Sequence, residues 1–252
     1  MEIHVRFESN NGGYVGVLEN STVATGNLVS QNAGSSYAGI YYQVGGGGLN
    51  GRFQQALGEE QTQRVNEALK AAYNAKFGHG HDAWSPQNQN PTDPPLTSFF
   101  VPVDAAKCAQ AQNQIVGMIY SVGPQLKRDG IKKEKEPQYR GIYIDAFAAV
   151  VDANAGGKRI ASVRIAMVST GIYAEHVDNP TALYDTSARC ILDGIEEAAA
   201  AAAEEHFPQT VLVNSATAGG TSKEVDAFTH AGKDRGLPVD RAGFDLTVQT
   251  LP

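Results

Sequence analysis

The chain has 252 residues, a formal net charge of −7 and 42% hydrophobic residues, enough apolar content to bury the core of one elaborated α/β domain. The acidic balance disfavours nucleic acid as the main partner, because a duplex binder needs a basic face to displace counterions. The two cysteines, Cys108 and Cys190, lie far apart without metal-ligand spacing, which argues against a disulfide framework or a structural zinc and for a reducing compartment.

Residues 3–7 alternate as a strand does and lack the apolar run of a secretory signal. Further strand-like runs follow at 14–18, 28–30 and 39–43. Residues 51–77 then predict a helix with Phe53, Leu57, Val65, Leu69 and Tyr73 as its buried stripe. Residues 79–95, dense in Gly, Pro, Asn and Asp, read as a surface loop or insertion. Strands at 98–103 and 115–122 precede a lysine-rich stretch at 127–135, either a solvated face or a contact for an acidic partner. A helix at 139–153, a strand at 163–168, an alanine-rich helix at 181–207 stopped by Pro208 and a strand at 210–213 complete the pattern. Strands alternating with helices predict a mainly parallel sheet covered on both faces. No stretch approaches the ~20 apolar residues that span a bilayer, so the expectation is a soluble protein of the cytoplasm, or of a host cytosol if it is an exported bacterial effector.

Chemistry concentrates in two loops. Val44-Gly45-Gly46-Gly47-Gly48-Leu49-Asn50-Gly51 lies between an apolar strand and the long helix. Glycines let backbone N–H groups approach an anion, and a helix N-terminus is its positive end; the same four glycines also suit a flexible turn. Met167-Val168-Ser169-Thr170-Gly171-Ile172-Tyr173 follows the strand at 163–168. Its hydroxyls and backbone could donate to phosphate, with Tyr173 offering an aromatic face, or Ser-Thr-Gly could be turn chemistry alone. In one α/β sheet both loops are expected at the carboxyl edge, where ligands bind. His79 and His81, with Asp82, are either exposed loop histidines or an incomplete metal pair; no metal and no cofactor are expected. Asp145, and Asp178 with His176, are candidate acids or solvated charges.

In family order, these segments resemble the macro-domain family. Ser162-Val-Arg-Ile-Ala-Met-Val-Ser-Thr-Gly-Ile-Tyr-Ala174 is similar to the strand and loop that grip the diphosphate of ADP-ribose. Met118-Ile-Tyr-Ser-Val-Gly-Pro124 is similar to the family's central strand, residues 45–51 to its Gly-rich loop, and residues 28–36 to its Asn-Ala-Ala-Asn segment. The resemblance covers most of 28–215 and implies a three-layer α/β/α fold with a mixed, mainly parallel central sheet. It implies one domain over 1–252, with insertions near 34–44 and 78–97 and a C-terminal extension over 215–252.

The resemblance also implies a ligand, ADP-ribose or an ADP-ribosylated protein, without a membrane partner. Gly46, Gly47, Gly48 and Asn50 would line the phosphate and distal ribose, Ser169, Thr170, Gly171, Ile172 and Tyr173 would wrap the diphosphate, and Asn32 would offer its amide to the ribose. Glu19 or Asn20 stands for the adenine-recognising acid, and Asn214 would sit near the adenine. Two hydrolase patterns are broken. Asn50 stands where the mono-ADP-ribosyl hydrolase branch carries an aspartate, and Gln55-Ala56-Leu57 stands where the poly(ADP-ribose) glycohydrolase branch carries its catalytic glutamates. Three readings follow: an ADP-ribose-binding module, an ADP-ribosyl hydrolase that uses another acid such as Glu59, Glu60 or Asp178, and a nucleotide-sensing or scaffolding protein.

Overall fold

The computed structural model describes residues 1–8, 17–24, 26–35, 43–77, 97–124, 126, 130–170, 177–215, 221–241 and 244–249. In chain order the elements are β1 (Glu2–Glu8), β2 (Asn27–Ser35), α1 (Gly48–Phe77), β3 (Ser98–Pro102), β4 (Ile115–Gly123), α2 (Glu136–Ala155), β5 (Ile160–Ala166), α3 (Pro180–Ala200), β6 (Thr210–Asn214), α4 (Ser222–Asp234), β7 (Val239–Asp240) and β8 (Asp245–Gln249). The strands form one sheet in the order β3-β4-β2-β5-β6-β1-β8-β7. β4, β2, β5, β6 and β1 run parallel. β3 is antiparallel at one end, and β8 and β7 are antiparallel at the other.

β4, β5 and β6 bury residues on both faces because both faces are covered. On one face Val29, Ile119, Val163 and Val211 pack against α2, α3 and α4. On the other Leu28, Met118, Tyr120 and Leu212 pack against Phe53, Leu57, Val65, Leu69 and Tyr73 of α1. The stripe expected from the spacing is thus the stripe that is buried, and the chain is a three-layer α/β/α structure with a mixed, mainly parallel sheet.

The helix boundaries follow from local chemistry. α2 has Pro137 in its first turn, and α3 starts at Pro180 under Asn179, whose side chain accepts from the Ala182 N–H at 3.1 Å. α4 opens with a capping box between Thr221 and Glu224. α1 is broken at Gly58, whose φ of 76° only glycine adopts readily. The carbonyls of Ala56 and Leu57, orphaned by the break, accept from Gln110 N at 3.0 Å and Ala109 N at 3.3 Å.

Several boundaries differ from the sequence expectation. Of the expected strand at 14–18, only Val17 and Leu18 are described; they are buried but lie in a turn. Of the strand at 39–43, only Gln43 is described, and it is not in a strand. β5 stops at Ala166 rather than 168, because the chain turns at Met167, whose carbonyl accepts from Thr170 N at 3.2 Å. α3 ends at Ala200, short of 207, and a 3₁₀ turn spans Glu204–His206. The stretch after 215 supplies α4 and β8, and β8 pairs along β1 from Glu2↔Gln249 to Arg6↔Asp245. There Phe7 meets Phe228 and Phe244 edge-on, at 5.5 and 4.7 Å between centroids, rings that each contribute about 1.5–3 kcal/mol by burial. No helix among the described residues is long and apolar enough to cross a membrane.

Candidate functional site

β2 feeds α1 on one face and the chain then moves toward β3 and β4; β5 feeds α3 on the opposite face and the chain moves toward β6. Between β2 and β5 the connections leave in opposite directions, the arrangement that opens a crevice at the carboxyl edge. Backbone pairing of these two strands ends at Ser30↔Arg164. Beyond it, the Ala166 N–H donates to Gln31 Oε1 at 3.0 Å, and Gln31 Nε2 donates to Ser121 Oγ at 2.8 Å. A side-chain amide thus replaces the ladder where the strands part.

The Gly-rich loop borders this crevice and runs into the N-terminus of α1. Gly46 and Gly48 have φ of 91° and 60°, the left-handed region that glycine enters without cost. Gly46, Gly47 and Gly48 are exposed, and a Cβ at Gly46 or Gly47 would meet nothing within 4 Å. At Gly51, by contrast, a Cβ would overlap the Gly46 carbonyl oxygen. No acidic residue lies in the first turn of α1, so no carboxylate there offsets the positive end of its dipole.

Asn50 holds the loop in place. Its Nδ2 donates to the carbonyls of Gly45 at 2.7 Å and Gln43 at 3.1 Å and to the Tyr120 hydroxyl at 3.3 Å. Its Oδ1 accepts from Asn32 Nδ2 at 2.8 Å. Tyr120 donates to the Gln43 carbonyl at 2.6 Å, and the Val44 N–H donates to Asn66 Oδ1 at 2.7 Å. Tyr120 also explains Gly34, because a Cβ at residue 34 would overlap its hydroxyl.

The second loop leaves β5 beside the end of β4. Ser169, with φ of 66°, donates its hydroxyl to the Pro124 carbonyl at 2.7 Å, and Thr170 donates its hydroxyl to the Met167 carbonyl at 2.7 Å. Both hydroxyls therefore shape the loop. A Cβ on Gly123 would overlap Val168 and Ser169, so the loop can lie against β4 only because residue 123 is glycine. Below it, Val168 N donates to the Tyr143 hydroxyl at 2.9 Å and the Tyr139 hydroxyl donates to the Val168 carbonyl at 2.6 Å. Burial, the largest cause, raises both tyrosines well above their ordinary pKa, so each hydroxyl keeps its proton as a donor.

The structure brings Asn32, Gly46, Gly47, Gly48, Asn50, Ser169, Thr170 and Asn214 to the carboxyl ends of the parallel strands. Gly171, Ile172 and Tyr173 lie outside the described residues, as do His79, His81, Asp82 and His176. Asn32 is fully buried and Asn214 is 6% exposed, and the Oδ1 of each has no hydrogen-bond partner among the described residues. By strand alternation Asn214 shares the face of Leu212, which packs on the α1 side. Glu19 is half-buried, and its carbonyl accepts from Arg164 at 3.0 Å. Arg164 is wholly buried and also pairs with Glu8 at 2.9 Å, so one guanidinium joins the end of β1 to the segment carrying Glu19. Sequence reasoning gave Gln31, Tyr120, Tyr139 and Tyr143 no individual role here, although Tyr120 lies within the 118–124 strand motif.

The candidate acids stand elsewhere. Glu59 and Glu60 are exposed beyond the Gly58 break, and Glu60 pairs with Arg64 at 2.9 Å. Asp178 is exposed beside the cap of α3. Asp145 ties α2 to Lys76 at 3.0 Å and to Thr97.

No protein-family model matches the chain, and no curated protein matches it. Among solved structures, it is similar to a macrodomain of Trypanosoma brucei in complex with ADP, at a TM-score of 0.47 and 12% identity over 81% of this chain and 62% of that one. It is also similar to the macrodomain of Mycobacterium tuberculosis DarG, at 0.41 and 12% over 83% and 97%. A third is poly(ADP-ribose) glycohydrolase from Deinococcus radiodurans in complex with ADP-ribose, at 0.38 and 13% over 84% and 77%. The chain spans 62% of the trypanosomal chain's length.

Proposed function

We propose that this chain binds ADP-ribose, free or attached to a protein, in the crevice between β2 and β5. The diphosphate is held by backbone N–H groups of Gly46, Gly47 and Gly48 at the N-terminus of α1, and from the other side by the loop from Ser169 through Thr170, Gly171, Ile172 and Tyr173. Asn32 faces the ribose; Glu19 and Asn214 lie toward the adenine. The observation that carries this reading is the exposed, side-chain-free run of Gly46 and Gly47 ahead of a helix whose first turn has no acid, beside the buried Asn32 Oδ1, which has no partner among the described residues. The motif resemblance over 28–215 supports the same ligand. The whole chain acts as one unit in this proposal, in a cytosol.

Binding rather than hydrolysis is the favoured activity. An amide cannot accept a proton as a carboxylate does, and the Asn50 NH₂ is committed to the carbonyls of Gly45 and Gln43. Calorimetry with ADP-ribose, followed on the same sample by release assays on aspartate-, glutamate-, arginine- and serine-linked ADP-ribosylated proteins, tests both parts. Binding without release is expected. Release from any linkage overturns the binding-only reading, and an absence of binding overturns the ligand.

A further inference from the structure

We propose that Tyr139 and Tyr143 of α2 are positioning residues that set the affinity of the second loop for the diphosphate; the inference rests on the ADP-ribose reading above. Backbone pairing of β5 with β6 ends at Ala166↔Asn214, so the next residues have no ladder to hold them. Val168 is held instead by side chains: its N–H donates to the Tyr143 hydroxyl at 2.9 Å, and its carbonyl accepts from the Tyr139 hydroxyl at 2.6 Å. Tyr143 reaches back to the Ala166 carbonyl at 3.4 Å. The two hydroxyls are 3.1 Å apart, and Ser187 of α3 stands 2.8 Å from Tyr139.

Both tyrosines are wholly buried, four residues apart and hence on one side of α2. Packing alone would be served as well by phenylalanine, without the cost of taking two hydroxyls out of water. What the hydroxyls add is a fixed peptide at residue 168, one step before Ser169, whose φ of 66° turns the backbone out of the line of β5. A backbone donor must be held in place before the anion arrives if it is to contribute fully, because ordering it on binding subtracts from affinity. The network therefore acts through the loop on the phosphates and leaves the adenosine end untouched.

The test compares wild type with Tyr139→Phe and Tyr143→Phe, measuring ADP-ribose and adenosine affinity by calorimetry and hydrogen exchange at the amides of residues 168–170. Each variant should bind ADP-ribose about tenfold more weakly, the scale of one lost buried hydrogen bond, with adenosine affinity unchanged and exchange faster at 168–170. Ser187→Ala, a smaller lesion on the same network, should move the same readouts in the same direction and serves if a phenylalanine variant fails to fold. ADP-ribose affinity equal to wild type, or ADP-ribose and adenosine weakened by the same factor, overturns the positioning role while leaving the ligand assignment intact. No ADP-ribose binding by wild type overturns the ligand assignment and this inference with it.

Discussion

Replacing Asn50 by aspartate puts a carboxylate in the first turn of α1, where the structure predicts a damaged loop and, on the binding reading proposed above, no gain of hydrolysis. The substitution deletes the donors that reach the Gly45 carbonyl at 2.7 Å and the Gln43 carbonyl at 3.1 Å and turns an anionic oxygen toward them. Two lost hydrogen bonds at about 1 kcal/mol each, with a similar amount for the repulsion, sum to about 3 kcal/mol. In a chain of this size that lowers Tm by roughly 6–12 °C. Asn50→Ala loses the same donors without adding the charge, so it should fall less far. As the pH drops toward about 4 the new carboxyl takes up a proton and regains a donor, so the aspartate variant should recover part of its deficit there. Thermal unfolding from pH 4 to 8, with ADP-ribose calorimetry on each variant, measures the effect. An aspartate variant with wild-type Tm and affinity would refute the role assigned to the Asn50 amide.

Gly47→Val should leave the fold nearly unchanged, because a Cβ there meets nothing within 4 Å, while weakening ADP-ribose at least about tenfold by covering the backbone donors; Gly51→Ala should show the reverse emphasis, with a lower Tm from the overlap with the Gly46 carbonyl oxygen. Burial alone would raise the Asp245 carboxyl, but hydrogen bonds from His4 and Arg6 hold it below its usual value of 3.8. Its stabilising contribution is therefore complete above 3.8 and disappears as the pH falls through the lowered folded value, so urea melts of wild type and Asp245→Asn should differ at neutral pH and converge in acid. The thiols should be sluggish toward alkylating reagents in the native state, since burial pushes Cys108 up to about 11 and Cys190 to about 12; rapid native-state labelling of Cys190 would contradict its place on the buried face of α3.

Much of the architecture was legible in the sequence because burial leaves a periodic trace. Phe53, Leu57, Val65, Leu69 and Tyr73 recur at helical spacing and all line one face of α1, and the continuous apolar run at 115–122 marks a strand covered on both sides. What periodicity could not register was the end of each element. β5 stops short because Met167 begins a turn, and Val17 and Leu18 are apolar for reasons of burial without being a strand. β8 was missed because a short alternation at 245–249 acquires meaning only when β1 lies beside it. At the candidate site, the sequence marked the Gly-rich loop before α1 because the conformational freedom that Gly46 and Gly48 use is written in residue identity. The supporting tyrosines were invisible, because Tyr120, Tyr139 and Tyr143 act through partners 25 to 77 residues away, a separation that no local pattern encodes.

The central claim, that the two loops at the β2/β5 crevice together grip the diphosphate of ADP-ribose, is tested most directly by following backbone amide resonances of ¹⁵N-labelled protein as ADP-ribose is added. The account predicts saturable shifts concentrated at Gly46, Gly47 and Gly48 and at Ser169, Thr170 and Gly171, with adenosine reproducing neither set. Saturable shifts confined to residues outside both loops, or none at all, would contradict it.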